Sequence, residues 1–293
     1  MSLIQRYTMA RLLVSLLGLI AATQSYAMTY SAGLENSEWH TKGSALECRL
    51  WQPIPSFGDG IFTMKAGGGL FFYLKPGNSR MAPGTGKISA EAPSWKPSID
   101  VQNIAEVDVT DDLVPVTVKP PYADMMLASL NQGLVPTITS PDNVAAGYLS
   151  VKVGVSSVNF HDAYSEYARC VSNLLPVSYQ QIARSTIFYS FGKTKLADDV
   201  REQLDLIIRY MKADKHVLRV VIDGHTDASG DKQANIGVSK QRAYNVTAYF
   251  KQAGISNKRI VTRWHGDKYP VLPDDSDENR ARNRRVTIRL DLE

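Results

Sequence analysis

The first half of the chain alternates apolar and other residues in the manner of β-strands. Residues 114–118 and 149–155 carry valine or leucine at every second position, and a two-residue period places these side chains on one buried face. The run LFFYL at residues 70–74 is apolar throughout, and residues 77–86 are rich in Gly and Pro, as expected of a turn region. The pattern predicts a mostly antiparallel β domain, either a compact sheet or a small barrel.

Two short helices are predicted within this first half. Tyr122–Asn131 is followed by Gly133, and residues 161–174 are followed by Pro176; both residue types commonly stand just beyond a helix. An outer-membrane barrel is not expected, because it needs eight or more evenly spaced strands of about ten residues.

From residue 176 onward the pattern changes to strands separated by amphipathic helices, whose apolar residues recur at helical spacing. Residues 216–223 are nearly all apolar, as expected of a central strand. The predicted elements are, in order, strand 187–191, helix 195–212, strand 216–223, helix 233–252, strand 260–264 and strand 286–290. The order β, α, β, α, β, β predicts an α/β sandwich with helices on one face of a mixed sheet, and the whole chain is expected to be α+β.

Residues 1–27 have the features of a secretory signal peptide. Two arginines precede the apolar run 12–22, and small residues stand at the −3 and −1 positions before a cleavage site after Ala27. An uncleaved anchor helix is the alternative, but the uninterrupted apolar run is about half the roughly 20 residues that a spanning helix needs. Cleavage after Ala22 also remains open. We expect an exported, soluble mature protein with no later membrane-spanning helix.

The chain has two cysteines, Cys48 and Cys170. In an oxidising compartment we expect them to form a disulfide, closing a loop of about 120 residues that contributes at most roughly 4 to 5 kcal/mol. Two unpaired buried thiols are the alternative. No cysteine stands near the predicted cleavage site, where a lipoprotein needs one for acylation, so a lipid anchor is not expected.

Composition is that of a globular protein, with 44% hydrophobic and 21% charged residues. The net charge of +4 hides an asymmetry: residues 28–175 carry 10 basic and 14 acidic residues, whereas residues 176–293 carry 21 and 15. Opposite signs indicate two domains with these bounds. The basic half suits nucleic acid, a membrane surface or an acidic polymer, and export argues against nucleic acid. Ordinary solvated surface charge is the alternative.

An acid and a base flank the start of the second predicted helix of the basic half. Asp227 lies just after the strand 216–223, and Arg242 lies inside the helix 233–252. At a rise of about 1.5 Å per residue, Arg242 stands about 13 Å along this helix. A helix packed back across its strand can bring the guanidinium to the sheet edge where Asp227 lies. The spacing permits this arrangement without establishing it.

Three stretches carry a family resemblance: GHTDASG at residues 224–230, VSKQRA at 238–243 and NRARNRRV at 279–286. Together with Asn235 they resemble the signature of OmpA-like peptidoglycan-binding domains, over residues 187–290. The resemblance implies non-covalent binding of the diaminopimelate residue of the peptidoglycan stem peptide. Asp227 matches the acid that takes the ligand's ammonium group, and Arg242 matches the base that takes its carboxylate.

The chemistry of the ligand fits these two residues independently of the resemblance. Diaminopimelate carries an ammonium and a carboxylate on one carbon, which an acid and a fork-shaped base a few ångströms apart complement. Each charged hydrogen bond contributes about 1.5 to 3 kcal/mol. The alternative is that Asp227 and Arg242 pair only with each other.

The resemblance also implies supporting roles for other residues. Backbone amides of Phe191 and Gly192 assist ligand binding, Asn235 positions the loop, Arg284 supplements the carboxylate contact and Thr226 caps a turn. Arg280 and Arg285 are expected to be structural, pairing with acids of the segment 274–278. The sequence departs from the family pattern at Gly192, often Asn or Asp, and at Asn279, usually Gly.

Catalysis and metal binding are not expected. The five histidines show no zinc-ligand spacing, and a disulfide leaves no thiolate. No cofactor is predicted. A cell-wall hydrolase remains a less favoured alternative.

The stretch from Cys48 to Leu74 resembles the N-terminal region of the MotY family, periplasmic proteins of sodium-driven polar flagellar motors. That resemblance implies a domain that joins a MotX-like partner in a ring around the flagellar basal body and recruits the sodium-driven stator. The favoured hypothesis is therefore a non-enzymatic periplasmic adaptor between the motor and peptidoglycan. A general envelope tether unrelated to flagella is the alternative.

Overall fold

The computed structural model describes residues 28–77, 81–97, 100–142 and 150–293. The predicted signal peptide lies outside these ranges, as does Leu149 of the predicted strand 149–155. None of the helices in the described ranges combines the length and hydropathy that a membrane span requires.

Ten strands of the first half form one sheet. They are β1 (Met28–Ser31), β2 (His40–Gly43), β3 (Glu47–Ile54), β4 (Gly58–Lys65), β5 (Leu70–Pro76), β6 (Gly84–Glu91), β7 (Gln102–Val109), β8 (Val116–Val118), β9 (Val135–Thr139) and β10 (Val151–Gly154). Their spatial order is β1-β10-β9-β6-β7-β8-β5-β4-β3-β2. Neighbours are antiparallel except β1 and β10, which confirms the predicted β domain.

The sheet is curled, and Gln52 of β3 ties its two ends together. Gln52 is fully buried; its Nε2 donates to the carbonyl of Ser156 at 3.0 Å, and the amide of Ser156 donates back to Oε1 at 2.7 Å. Ser156 follows β10, which is second from one edge, whereas β3 is second from the other. The reciprocal bonds satisfy a buried amide that would cost about 1 to 3 kcal/mol unpaired.

The core of the first half is built on alternate residues of its strands. Phe62 of β4 and Phe72 of β5 are buried with ring centroids 4.7 Å apart, and full burial of such a side chain contributes about 1.5 to 3 kcal/mol. Helices α1 (Tyr122–Asn131) and α2 (Phe160–Ser172) add to this core, close to their predicted bounds. Cys48 of β3 and Cys170 of α2 form a disulfide, as expected.

The second half is a four-stranded sheet with two long helices on one face. Its strands are β11 (Arg184–Phe188), β12 (Val217–Gly224), β13 (Ile260–Trp264) and β14 (Arg285–Leu292), and its helices are α3 (Tyr179–Ile182), α4 (Asp198–Ala213), α5 (Lys232–Gln252) and α6 (Asp277–Asn283). The order is β11-β14-β12-β13, with β12 parallel to β13 and antiparallel to β14. Apolar residues of α4 and α5 share one cluster with the sheet, which confirms the mixed sheet with helices on one face.

Two details differ from the sequence prediction. The strand predicted at 187–191 has the wrong bounds. The observed strand β11 spans Arg184–Phe188, where polar Arg184 and Thr186 alternate with buried Ser185 and Ile187. Helices α3 and α6 were not predicted, because four and seven residues are too few for a periodic apolar pattern.

The two halves touch where the turn between β4 and β5 reaches the second core. Ala66 and Leu175 both lie in the cluster of the second half, and the amide of Gly67 donates to the carbonyl of Leu175 at 3.2 Å. The domain bounds 28–175 and 176–293 stay a prediction.

Candidate functional site

The candidate acid, Asp227, follows the end of strand β12 and lies in a buried corner next to helix α5. The strand ends at Gly224, where an added Cβ would stand 2.2 Å from the carbonyl oxygen of Ser239 on α5. Only glycine permits this approach. The chain stays buried beyond the strand, through His225, Thr226 and Asp227.

Arg242 lies at the centre of this corner, and its side chain is 1% exposed. Its Nε donates to the carbonyl of Lys193 at 2.9 Å, Nη1 to that of His225 at 3.1 Å and Nη2 to that of Ser190 at 3.4 Å. The guanidinium carbon stands 4.8 Å from the ring centroid of Tyr189. Burial lowers the pKa of Arg242 to about 10, so it stays charged at neutral pH. It therefore fastens the loop after β11 to the loop after β12.

Asp227 is 2% exposed and is paired with Arg284. Nη1 of Arg284 stands 2.6 Å from Oδ2 of Asp227, and its Nε donates to the carbonyl of Tyr189 at 3.1 Å. Among the described residues, Asp227 and Arg242 form no ion pair within 4.0 Å, although the Asp227 carboxylate does act to raise the pKa of Arg242. The two predicted residues therefore lie in the same corner, but Asp227 is paired with Arg284.

Three polar atoms around this charged centre are buried without a protein partner in the described part of the chain. They are the hydroxyl of Tyr189, Oγ1 of Thr226 and Nδ2 of Asn235. Such atoms are uncommon in folded proteins and commonly mark a place where a ligand or water binds. The hydroxyl of Thr226 therefore makes no turn cap here, while its amide donates to the carbonyl of Gly266 at 2.8 Å.

The loop after β11 borders the site through its carbonyls. Ser190 and Lys193 accept from Arg242, and between them Phe191 is 70% exposed. Gly192 has a φ of 67° with nothing near its Cβ position, which suits a residue in the left-handed region. The predicted roles of the amides of Phe191 and Gly192 stay predictions.

Asn283 has no exposed surface and binds the loop that contains Val271, Leu272 and Asp274. Its Oδ1 accepts from the amides of Val271 at 2.9 Å and Leu272 at 3.2 Å, and its Nδ2 donates to Leu272 at 2.8 Å and to Oδ1 of Asp274 at 2.7 Å. Asp274 in turn accepts from the amide of Ala228, next to Asp227. The sequence motif contained Asn283, but its role in shaping the site was not predicted.

Arg280 and Arg285 both bond within the domain, but of these two only Arg280 pairs with an acid as expected. Arg280 bonds the carbonyl of Asp274 and the carboxylate of Asp277. Arg285 instead donates to the carbonyls of Asn283 and Tyr269, so the expectation that it pairs with an acid is wrong; its position on β14 points it at loop carbonyls.

His225 and His265 stack beside the site with ring centroids 4.9 Å apart. Burial, together with the nearby Arg285 charge, lowers the pKa of His225 to about 4. His265 forms a hydrogen bond with Asp223. Burial acts to raise the pKa of Asp223, but the hydrogen bonds from Arg263 and His265 outweigh it, so this pKa is lowered overall. Within the described residues, no group of three or more His, Cys, Asp or Glu side chains is arranged to hold a metal ion.

Residues 188–284, which include strands β12 and β13 together with Asp227 and Arg242, match the OmpA family. Residues 30–176, half of the chain, match the family described as MotY N-terminal domain. The chain therefore belongs to the MotY family, with an OmpA-family domain after the family's N-terminal domain.

Individual proteins are similar to all or part of this chain. The sodium-type flagellar protein MotY of Vibrio parahaemolyticus is 27% identical over 281 residues, covering 94% of this chain and 95% of that protein. A peptidoglycan-associated lipoprotein of Pseudomonas putida is 28% identical over 107 residues, which cover 36% of this chain and 63% of that protein. The C-terminal domain of Helicobacter pylori MotB superimposes with a TM-score of 0.35 at 21% identity, covering 37% of this chain and 85% of that structure.

Proposed function

We propose that this protein is a non-enzymatic periplasmic adaptor that holds a sodium-driven flagellar motor to peptidoglycan. Membership of the MotY family supports the motor role, since the Vibrio relative that matches along nearly its whole length is a sodium-type flagellar protein. The name of the Pseudomonas lipoprotein supports peptidoglycan as the ligand of the second domain. The N-terminal domain binds a MotX-like protein and the basal body, and reaches the stator indirectly.

One observation carries the ligand assignment: buried Asp227 pairs with Arg284, whose side chain is 15% exposed, beside the buried charge of Arg242. Removing one partner of a buried ion pair costs about 3 to 5 kcal/mol. A ligand that binds Asp227 in place of Arg284 must therefore also provide an anion that pairs with Arg284.

A zwitterion meets that requirement. The ammonium of a diaminopimelate centre replaces Arg284 at Asp227, and the carboxylate on the same carbon neutralises Arg284 with help from Arg242. The unpartnered atoms of Thr226, Asn235 and Tyr189 supply further hydrogen bonds. An amine or a carboxylate alone leaves one buried charge without a partner.

The test is sedimentation of the full chain with purified peptidoglycan sacculi. The key variant combines Asp227→Asn with Arg284→Gln, which keeps two side chains of similar size that can hydrogen-bond each other without charge. We expect its binding to be lost while its thermal unfolding remains cooperative. Arg242→Ala is a poorer probe, because Arg242 also fastens two loops.

The matched control combines Asp199→Asn with Arg209→Gln, both exposed on α4. It should sediment like the wild type. Wild-type sedimentation of the Asp227/Arg284 variant would refute the site, and normal swimming of a deletion strain would refute the motor role.

A further inference from the structure

The face of the second sheet that α4 and α5 leave uncovered is rich in arginine. Residues alternate across a strand; Val220 and Ile222 enter the helix-side cluster, so Arg219, Val221 and Asp223 of β12 face the other way. The strand pairings place the following charged residues on this arginine face: Arg184, Arg219, Arg263, Arg289, Asp223 and Asp291.

Two of these arginines pair with a single carboxylate, and a third lies beside them. Nε of Arg219 stands 2.8 Å from Oδ2 of Asp291, and Nε of Arg289 stands 3.0 Å from Oδ1. Arg184 lies directly opposite Arg289 in the β11–β14 pairing. With Tyr179 they line one open depression of about 610 Å³.

Stability does not account for this cluster. The side chains of Arg219 and Arg289 are 54% and 46% exposed, and exposed ion pairs contribute little to folding. Like charges directly opposite on neighbouring strands are destabilising, as Arg184 and Arg289 are. One carboxylate cannot neutralise three guanidinium groups, so the cluster keeps an excess of positive charge facing solvent.

The residue types indicate the ligand. All four bases of the face are arginine, whose planar fork binds carboxylates in a bidentate manner, and arginine is enriched at protein interfaces. Apolar surface borders the depression, since Leu292 is 42% exposed and contributes to its lining. We propose that the arginine face docks an aspartate- or glutamate-rich segment of another protein.

This docking surface is separate from the proposed wall site. Arg219 lies near the start of β12 and Asp227 lies beyond its end. The five residue steps from Arg219 to Gly224 alone span about 17 Å at strand rise. Both surfaces can therefore be occupied at once, and the proposal does not depend on wall binding.

The test measures binding of the full chain to a fluorescent peptide rich in aspartate and leucine, with its asparagine counterpart as the uncharged comparison. We expect saturable, salt-sensitive binding of the acidic peptide alone. The variant Arg184→Gln, Arg219→Gln and Arg289→Gln should bind at least about tenfold more weakly, because charged hydrogen bonds are lost. The control Arg201→Gln, Arg209→Gln and Lys212→Gln removes the same charge from exposed positions of α4 and should retain binding.

Folding is monitored with a second variant, Arg184→Glu, which replaces the like-charge pair by an opposite pair. We expect an equal or higher unfolding temperature together with weaker peptide binding. Equal affinities of wild type and arginine-face variants, or an equal loss in the α4 control, would overturn the proposal. Tighter binding to phosphatidylglycerol vesicles than to the peptide would overturn the proposal in favour of a lipid ligand. Self-association that the triple variant abolishes, with no binding of the peptide, would overturn it in favour of a second copy of this chain.

Discussion

At the residue scale, the charged side chains of the site already have protein partners before any ligand arrives. Asp227 is paired with Arg284, and Arg242 is bonded to three backbone carbonyls. Under the proposed function, a ligand cation displaces Arg284 from Asp227 only if the same ligand also supplies an anion that pairs with Arg284. On that proposal, this pairing is the source of selectivity for an amino acid centre.

Competition by small molecules should therefore depend on both charges of the ligand. We expect free diaminopimelate to displace the protein from sacculi. Pentane-1,5-diamine and pimelate, which each carry one kind of charge, should compete at least about a hundredfold more weakly, since each leaves one buried ion unpaired. Sedimentation at matched ionic strength measures this, and equal competition by the diamine would contradict the exchange.

His225 predicts a pH dependence of stability. Its folded pKa is about 4 because burial, and then Arg285, disfavour the charged form, whereas the unfolded chain takes up the proton near a pKa of about 6.5. The unfolded state therefore binds more protons between these values, and stability falls as pH drops from about 6.5 to about 4, by on the order of 3 kcal/mol.

Denaturant unfolding at a series of pH values measures this loss. His225→Gln should flatten the profile in that window, because the substituted side chain does not titrate. His161→Gln, at an exposed position, should keep the wild-type slope. An unchanged slope in His225→Gln would assign the loss to other groups.

The sequence shows the charged candidates of the site but not the backbone partners of Arg242. Asp227 and Arg242 carry side chains whose chemistry is visible in the sequence, and both reach the same corner. The partners of Arg242 are carbonyls of Ser190, Lys193 and His225, which every residue type possesses. Backbone acceptors leave no trace in a sequence, so this part of the site required the fold.

At the element scale, prediction succeeded where the apolar pattern was long. Helix α5 begins within one residue of its predicted start, and strand β13 matches its predicted bounds. Helix α6 was missed because only Asn283 of its residues is buried. Its start is set by Ser276, whose side chain accepts from the amide of Asn279, a capping arrangement that contributes about 1 kcal/mol.

Helix α6 matters because its last residue, Asn283, ties the loop before it to the site. We expect Asn283→Ala to lower the free energy of unfolding by about 2 to 4 kcal/mol, because it removes the four hydrogen bonds that this fully buried side chain makes, and to weaken sedimentation with sacculi. Urea unfolding gives the first quantity.

Asn279→Ala is the matched control. It removes the same side chain from the same helix, where the amide bonds only Asp275 on the surface. This variant should change stability by no more than about 0.5 kcal/mol. Similar losses in both variants would show that α6 itself, rather than the buried amide of Asn283, sets stability.

At the scale of the whole molecule, the two halves have separate cores joined by a small contact. One cluster contains the curled sheet with α1 and α2, and the other contains the second sheet with α4 and α5. Ala66 reaches from the first half into the second core. Each half should therefore unfold largely on its own, with the disulfide acting only on the first.

Removing that disulfide tests this separation. Cys48 and Cys170 are 122 residues apart, so on the chain-entropy model their bond stabilises the first half by up to roughly 4 to 5 kcal/mol. The double variant Cys48→Ala and Cys170→Ala should unfold its first half at a lower temperature while the second half, and sedimentation with sacculi, persist. Calorimetry separates the two transitions, and wild-type protein under reductant should resemble the variant. Simultaneous loss of both transitions and of wall binding would mean that the Ala66 contact couples the halves into one cooperative unit.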